Sequence, residues 1–233
     1  MPDDATHINR PDTREERISF KCGETHLEGR LRAFIGGDSG DYAAMLILCH
    51  PHPLHGGDMD NQIIIAIRDA AWARHIGTFR FNFRGTGNSS GVHDNGIGEK
   101  DDVIAALDFL SSHRGADCCD LFVCGYSFGA YVALRAFCDD ERLDKITAVA
   151  PPVKYEYSFL MTCERQKLII IGEKDDISPP ALVRKNFGTY PNVSIRTIMN
   201  ADHFFNGSAD EIGNIVCNFI SGHYEGAVEK QAP

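Results

Sequence analysis

The stretch GYSFG, Gly125 to Gly129, sets a serine between two glycines in the spacing G-x-S-x-G. A serine hydroxyl attacks a carbonyl only if it stands clear of its neighbours and a base takes its proton. The flanking residues meet the first condition. LFVCG (121–125) reads as a buried strand and FGAYVALRAFC (128–138) as a helix, so Ser127 falls on the sharp turn between them. Such a turn lifts a hydroxyl above the sheet. Glycines two residues to either side let the backbone close in around it. The helix start favours an anion forming nearby. For the second condition, NADHFFNG follows the last predicted strand and offers His203, while IIIGEKDDISPP follows the strand before it and offers Asp175 and Asp176. The order Ser127, Asp175, His203 is the nucleophile–acid–base order that accompanies this elbow. Asp175 is the preferred acid. It stands three residues past Gly172, in a turn that brings the side chain over the sheet edge, with Asp176 left to cap the turn or face solvent.

A second cluster raises a different chemistry. CHPHPLHGGDMDN (49–61) carries His50, His52 and His55. H-x-H-x-x-H resembles the opening of a binuclear zinc site. Leu54 stands where such a site needs an acid, two prolines limit how the rings converge, and no distant histidine–aspartate set completes it. Neither a metal nor a cofactor is expected. GTGNSSG (85–91) lacks both the P-loop lysine and the dinucleotide spacing and reads as a turn. Arg84 lies past a strand end. It could bind a substrate carboxylate, although an ion pair under the loop is the favoured reading.

These residues need a scaffold. Segments 17–22 and 25–34 alternate like antiparallel strands, and 43–49 is a continuous apolar run, as in a strand buried on both faces. Helical patterns at 60–75, 98–113, 128–138, 179–187 and 210–223 alternate with strands at 78–83, 121–125, 145–150, 167–172 and 192–198. That order predicts an α/β fold: a mostly parallel sheet with antiparallel first strands and helices on both faces. Chemistry in such sheets sits beyond the carboxyl ends of the strands. A single domain is expected over 17–223, with flexible tails at 1–16 and 224–233.

Composition narrows the function further. The chain has 233 residues and a formal charge of −10 with no basic patch, so nucleic-acid binding is not expected. No apolar run is long enough to span a membrane, and the N-terminal segment has no signal-like apolar region. Most of the eight cysteines sit within apolar runs and read as reduced core thiols, which suggests the cytoplasm.

GYSFG, GEKD and DHFF resemble, in order and position, the nucleophile, acid and base segments of the α/β-hydrolase superfamily over roughly residues 17 to 222. HPHPLHGGDMDN, FRFNFRGTGNSSG and GIGEKDD resemble more narrowly a group of small cap-less hydrolases, distantly similar to dienelactone hydrolases. Those use a cysteine nucleophile; this chain has Ser127. The resemblance implies oxyanion donors at the Phe128 N–H and in the loop after 43–49, where His52 has an N–H and Pro51 and Pro53 have none. It also implies that His50 braces that loop and that His55, Gly56 and Gly57 turn it toward the next helix. Many relatives carry a lid after the strand that ends here at 150; only PPVKYEYSFLMTCERQ follows it, enough for a flap but not a cap. Tyr155, Tyr157, Phe159 and Met161 are candidates for one wall, and Tyr126 and Phe204 for contact with substrate. Phe205 and Asn206 could line the pocket or pack in the core.

The function expected is a serine hydrolase acting on a small acyl substrate: a carboxylic ester, or a thioester or lactone. The alternative is a same-fold enzyme that opens epoxides or closes rings with His203 and Asp175 as acid and base, without an acyl-enzyme. A non-catalytic scaffold is disfavoured by the intact nucleophile, acid and base.

Overall fold

The computed structural model describes residues 15–36, 41–42, 44–112 and 120–224. Most of both predicted tails, and Cys118 and Cys119, lie outside them. Ten strands and five helices follow in order: β1 (Glu16–Cys22), β2 (Thr25–Arg32), β3 (Ile35–Gly36), β4 (Asp41–Tyr42), β5 (Ala44–Cys49), α1 (Gln62–Trp72), β6 (Gly77–Phe81), α2 (Ile97–Ser112), β7 (Asp120–Tyr126), α3 (Phe128–Asp139), β8 (Leu143–Val149), β9 (Gln166–Gly172), α4 (Pro180–Phe187), β10 (Val193–Ile198) and α5 (Ala209–Ile220).

Eight strands form one sheet in the order β1-β2-β6-β5-β7-β8-β9-β10. β1 pairs antiparallel with β2 and β2 with β6, and every later pairing is parallel. The central parallel strands are largely apolar because helices cover both faces. AMLILC of β5 and LIIIG at the end of β9 are buried on both sides. One core lies beneath α2, α3 and α4, with Phe79, Phe81, Leu107 and Phe137 in it. The other lies beneath α1 and α5, with Ile64, Ile67, Ile212 and Val216. No cap domain covers the sheet; between β8 and β9 there is only a loop with a short 3-10 turn, Ser158–Thr162.

The order of strands decides where a site can form. From β5 the chain crosses to β6 on one side, then returns to β7 on the other. The direction of winding reverses at that point, which opens a crevice beyond the carboxyl ends of β5 and β7. The HPHP loop and Ser127 follow those two strands.

The predicted elements are all present, with ends shifted for local reasons. β2 stops at Arg32, two residues short of the alternating run. α1 begins after Asn61, whose Oδ1 accepts the Ile63 amide at 3.0 Å. It closes before His75, which takes φ 56°. β8 ends at Val149 because Ala150 turns to φ 45°. The two-residue pair β3–β4 had no signal in the sequence.

Candidate active site

β7 ends at Tyr126 and α3 starts at Phe128, so Ser127 alone makes the turn, at φ 53° and ψ −117°. Few L-residues tolerate this region, and holding one there costs about 1–3 kcal/mol. The surroundings enforce it. A Cβ on Gly125 would lie 2.2 Å from the Gly129 carbonyl oxygen, and one on Gly129 would lie 2.2 Å from that of Cys49. Only glycines let β5, β7 and α3 approach so closely. The Ser127 amide donates to Val149 O at 2.8 Å and fixes the elbow to β8.

The loops after β9 and β10 bring the other two groups to the serine. Ser127 Oγ lies 3.0 Å from His203 Nε2, and His203 Nδ1 lies 2.8 Å from Asp175 Oδ2. The other carboxylate oxygen of Asp175 accepts the amides of Ile177 and Ser178 at 2.9 and 2.6 Å. A carboxylate held this way stays an acceptor, so Nδ1 carries the imidazole proton and the Nε2 lone pair faces the serine hydroxyl. The Tyr126 hydroxyl donates to the His203 carbonyl at 2.8 Å and ties the His203 backbone to the end of β7. Asp175 and His203 are both buried, whereas Asp176 is exposed.

The HPHP loop lies across the crevice. His50 is fully buried, its Nδ1–H donating to Pro51 O at 2.7 Å and its Nε2 accepting the Phe83 amide at 3.0 Å. Burial pushes its pKa down to about 4, so the ring is neutral and stitches β5 to the end of β6. The His52 carbonyl accepts the His55 and Gly57 amides, both at 3.0 Å, which closes the turn. The His52 ring packs against Phe128, His55 and His93 with centroids 4.8, 4.7 and 4.9 Å away. Burial, then the neighbouring His93, His55 and Lys154, lower its pKa to about 4. The Phe128 N–H is the first amide of α3 and has no acceptor within the helix.

Ser127 opens into a cavity of about 500 Å³, walled among others by His52, Phe128, Tyr155, Ile177 and Phe204. The expected contact residues separate into two groups. Tyr126 and Phe204 border this cavity. Arg84 and Tyr157 do not. Arg84 grips the buried Asp102 carboxylate, Nη2 to Oδ1 at 2.7 Å, so it serves the ion pair rather than a substrate. Tyr157 is buried with its hydroxyl on Pro152 O, and it borders a neighbouring cavity instead. Phe205 is fully buried against Tyr126, and Asn206 and Met161 are exposed away from the pocket. Two groups escaped the sequence reading. Glu99 is fully buried and accepts the Asp94 and Gly96 amides at 2.7 Å each. Its Oε1 lies 2.8 Å from His93 Nδ1, placing a carboxylate–imidazole pair behind His52. Lys154 borders the cavity, and nothing in its sequence context signals that.

Among the described residues, no group of three or more His, Cys, Asp or Glu side chains could hold a metal ion. No family model matches the chain. An uncharacterized protein of Rickettsia prowazekii is 30% identical to it, with 88% of each chain covered. An α/β serine hydrolase homologue from Coxiella burnetii is 31% identical over 89% of this chain and 98% of its own, with a TM-score of 0.78. A Xanthomonas campestris protein described as an α/β serine hydrolase without lid is 25% identical over 92% and 97%, also with a TM-score of 0.78. By these relatives, its sheet and its uncapped crevice, the chain belongs to the lid-less α/β serine hydrolases.

Proposed function

We propose that this hydrolase cleaves carboxylic esters, thioesters or lactones through an acyl-enzyme on Ser127. One observation carries the reading: the unbroken hydrogen-bond chain from Ser127 Oγ through His203 to Asp175, at 3.0 and 2.8 Å, opening into the cavity.

In the first half-reaction His203 Nε2 takes the Ser127 proton as Oγ bonds to the acyl carbon. The carbonyl oxygen becomes an oxyanion, which the Phe128 and His52 amides receive. The tetrahedral species collapses, the alcohol or thiol leaves, and the imidazolium returns a proton to it. In the second half-reaction water gives a proton to His203 and attacks the acyl carbon, and Ser127 leaves with that proton. Asp175 holds the ring and balances its transient positive charge. The prolines on either side of His52 stiffen its loop, so the donor is in place before charge develops. The six described cysteines are free thiols and fit a cytoplasmic enzyme. The open crevice suits a small acyl substrate.

Ser127→Ala and His203→Ala should each lower kcat on p-nitrophenyl acetate by about 10³-fold or more. Circular dichroism should show both variants folded. A folded variant that keeps activity within about tenfold of the parent would overturn the mechanism.

A further inference from the structure

We propose, on the basis of the acyl-hydrolase reading above, that the substrate carries a carboxylate of its own and that Lys154 binds it. Among the described residues Lys154 is the one lysine or arginine that borders the cavity beside Ser127. The cavity's titratable borders are His52, His55, Tyr126, Lys154, Tyr155 and His203, and among the described residues no aspartate or glutamate borders it. The chain as a whole has 33 acidic against 23 basic residues, yet the carboxylates behind this wall, Asp175 and Glu99, are engaged by His203 and His93. The amides at the start of α3 add partial positive charge to the same wall. Lys154 is exposed beside the open crevice, where a cation with no acid on the same wall draws an anion toward it.

Lys154 carries the ammonium on that wall. Its ammonium sits 5.1 Å from the Tyr155 ring centroid, and Lys154 borders the same cavity as His52 and Ser127. Among the described residues no carboxylate forms an ion pair with it. The nearest acid in sequence, Glu156, borders the second cavity rather than the one beside Ser127, with Oε1 accepting the Tyr157 and Ser158 amides at 2.9 and 2.8 Å. Arg84 is occupied by Asp102. Lys154 and Tyr155 also border the second cavity, of about 390 Å³, so they stand where the two spaces meet. An ammonium on a flexible stem beside an aromatic ring can meet a carboxylate held in the cavity beside Ser127.

The test compares matched substrate pairs. Mono-p-nitrophenyl glutarate against p-nitrophenyl valerate places a charge at the end of the same five-carbon acyl chain. The acetyl ester of 4-hydroxybenzoate against p-tolyl acetate places it on the leaving group. The readout is the ratio of kcat/KM, charged over neutral, within each pair. In at least one pair the ratio should fall about tenfold in Lys154→Gln, fall further in Lys154→Glu, and recover in Lys154→Arg. The pair that responds tells which side of the ester bears the charge. Ratios that stay level across all three variants, while a fluorophosphonate still labels Ser127, would overturn the carboxylate proposal and leave the hydrolase reading standing. A folded parent that neither reacts with the fluorophosphonate nor turns over any of the four esters would overturn the hydrolase reading, and this proposal with it.

Discussion

His50 shows how one buried side chain can hold a functional loop. Both ring nitrogens are in use, Nδ1–H on Pro51 O and Nε2 under the Phe83 amide. A second proton would land on Nε2 and face an N–H, and burial would leave the charge without water. The folded pKa of about 4 lies below the usual histidine value of about 6.5, so the unfolded chain takes up this proton first. The contribution is therefore complete above about pH 6.5 and is lost as pH falls toward 4. Between pH 7 and 5 it amounts to about 2 kcal/mol. Urea unfolding at both pH values should show that loss in the parent and a smaller one in His50→Asn. Equal losses in both proteins would contradict the assignment.

The residues that could be read without coordinates were those whose role follows from short-range chemistry. Ser127 needs an elbow, and its neighbours spell one. Asp175 and His203 follow successive parallel strands, which must end on the same side. Lys154, the Glu99–His93 pair and the partner of Arg84 were not legible in this way. Each depends on which loop folds over which strand end, and a run such as VKYEY looks the same whether its lysine faces water or a pocket.

At the scale of the element, the strand–turn–helix of β7 and α3 sets stability against function. A Cβ on Gly129 would meet the backbone carbonyls of Cys49 and His50 at 2.2 and 2.4 Å, and these cannot yield without parting β5 from α3. Gly129→Ala should destabilise the fold by about 3 kcal/mol. Ser127→Gly should act the other way. It releases the φ 53° strain and should unfold at a higher temperature than Ser127→Ala, with both inactive. Differential scanning calorimetry of the three variants checks both statements, and a Ser127→Gly protein no more stable than Ser127→Ala would contradict the strain. The type of every long element could be read from sequence because apolar period and glycine punctuation agree there. The ends could not, because Ala150 and His75 adopt left-handed angles that only their tertiary surroundings enforce.

At the scale of the molecule, two cores on either side of one sheet leave the crevice over β5 and β7 uncovered. No helical lid buries a long acyl chain, and the cavity holds about 500 Å³. Activity on p-nitrophenyl esters should therefore be highest for short acyl groups, fall at least about tenfold in kcat/KM by the palmitate, and rise for none of them at a lipid interface. Substrates bound by remote apolar contacts gain only what burial returns, about 25 cal/mol per Å², and an open site buries little of a long chain. Interfacial activation would show that some segment closes over the site.

The central claim is that Ser127 forms a covalent bond with the substrate's acyl group. The measurement that reaches it most directly is peptide mass mapping after reaction with a fluorophosphonate. The account predicts one adduct, on the peptide containing Ser127, absent from Ser127→Ala and strongly slowed in His203→Ala. A well-folded protein left unmodified, or modified at another residue while Ser127 stays free, would contradict it and point to His203 and Asp175 working as acid and base without an acyl-enzyme.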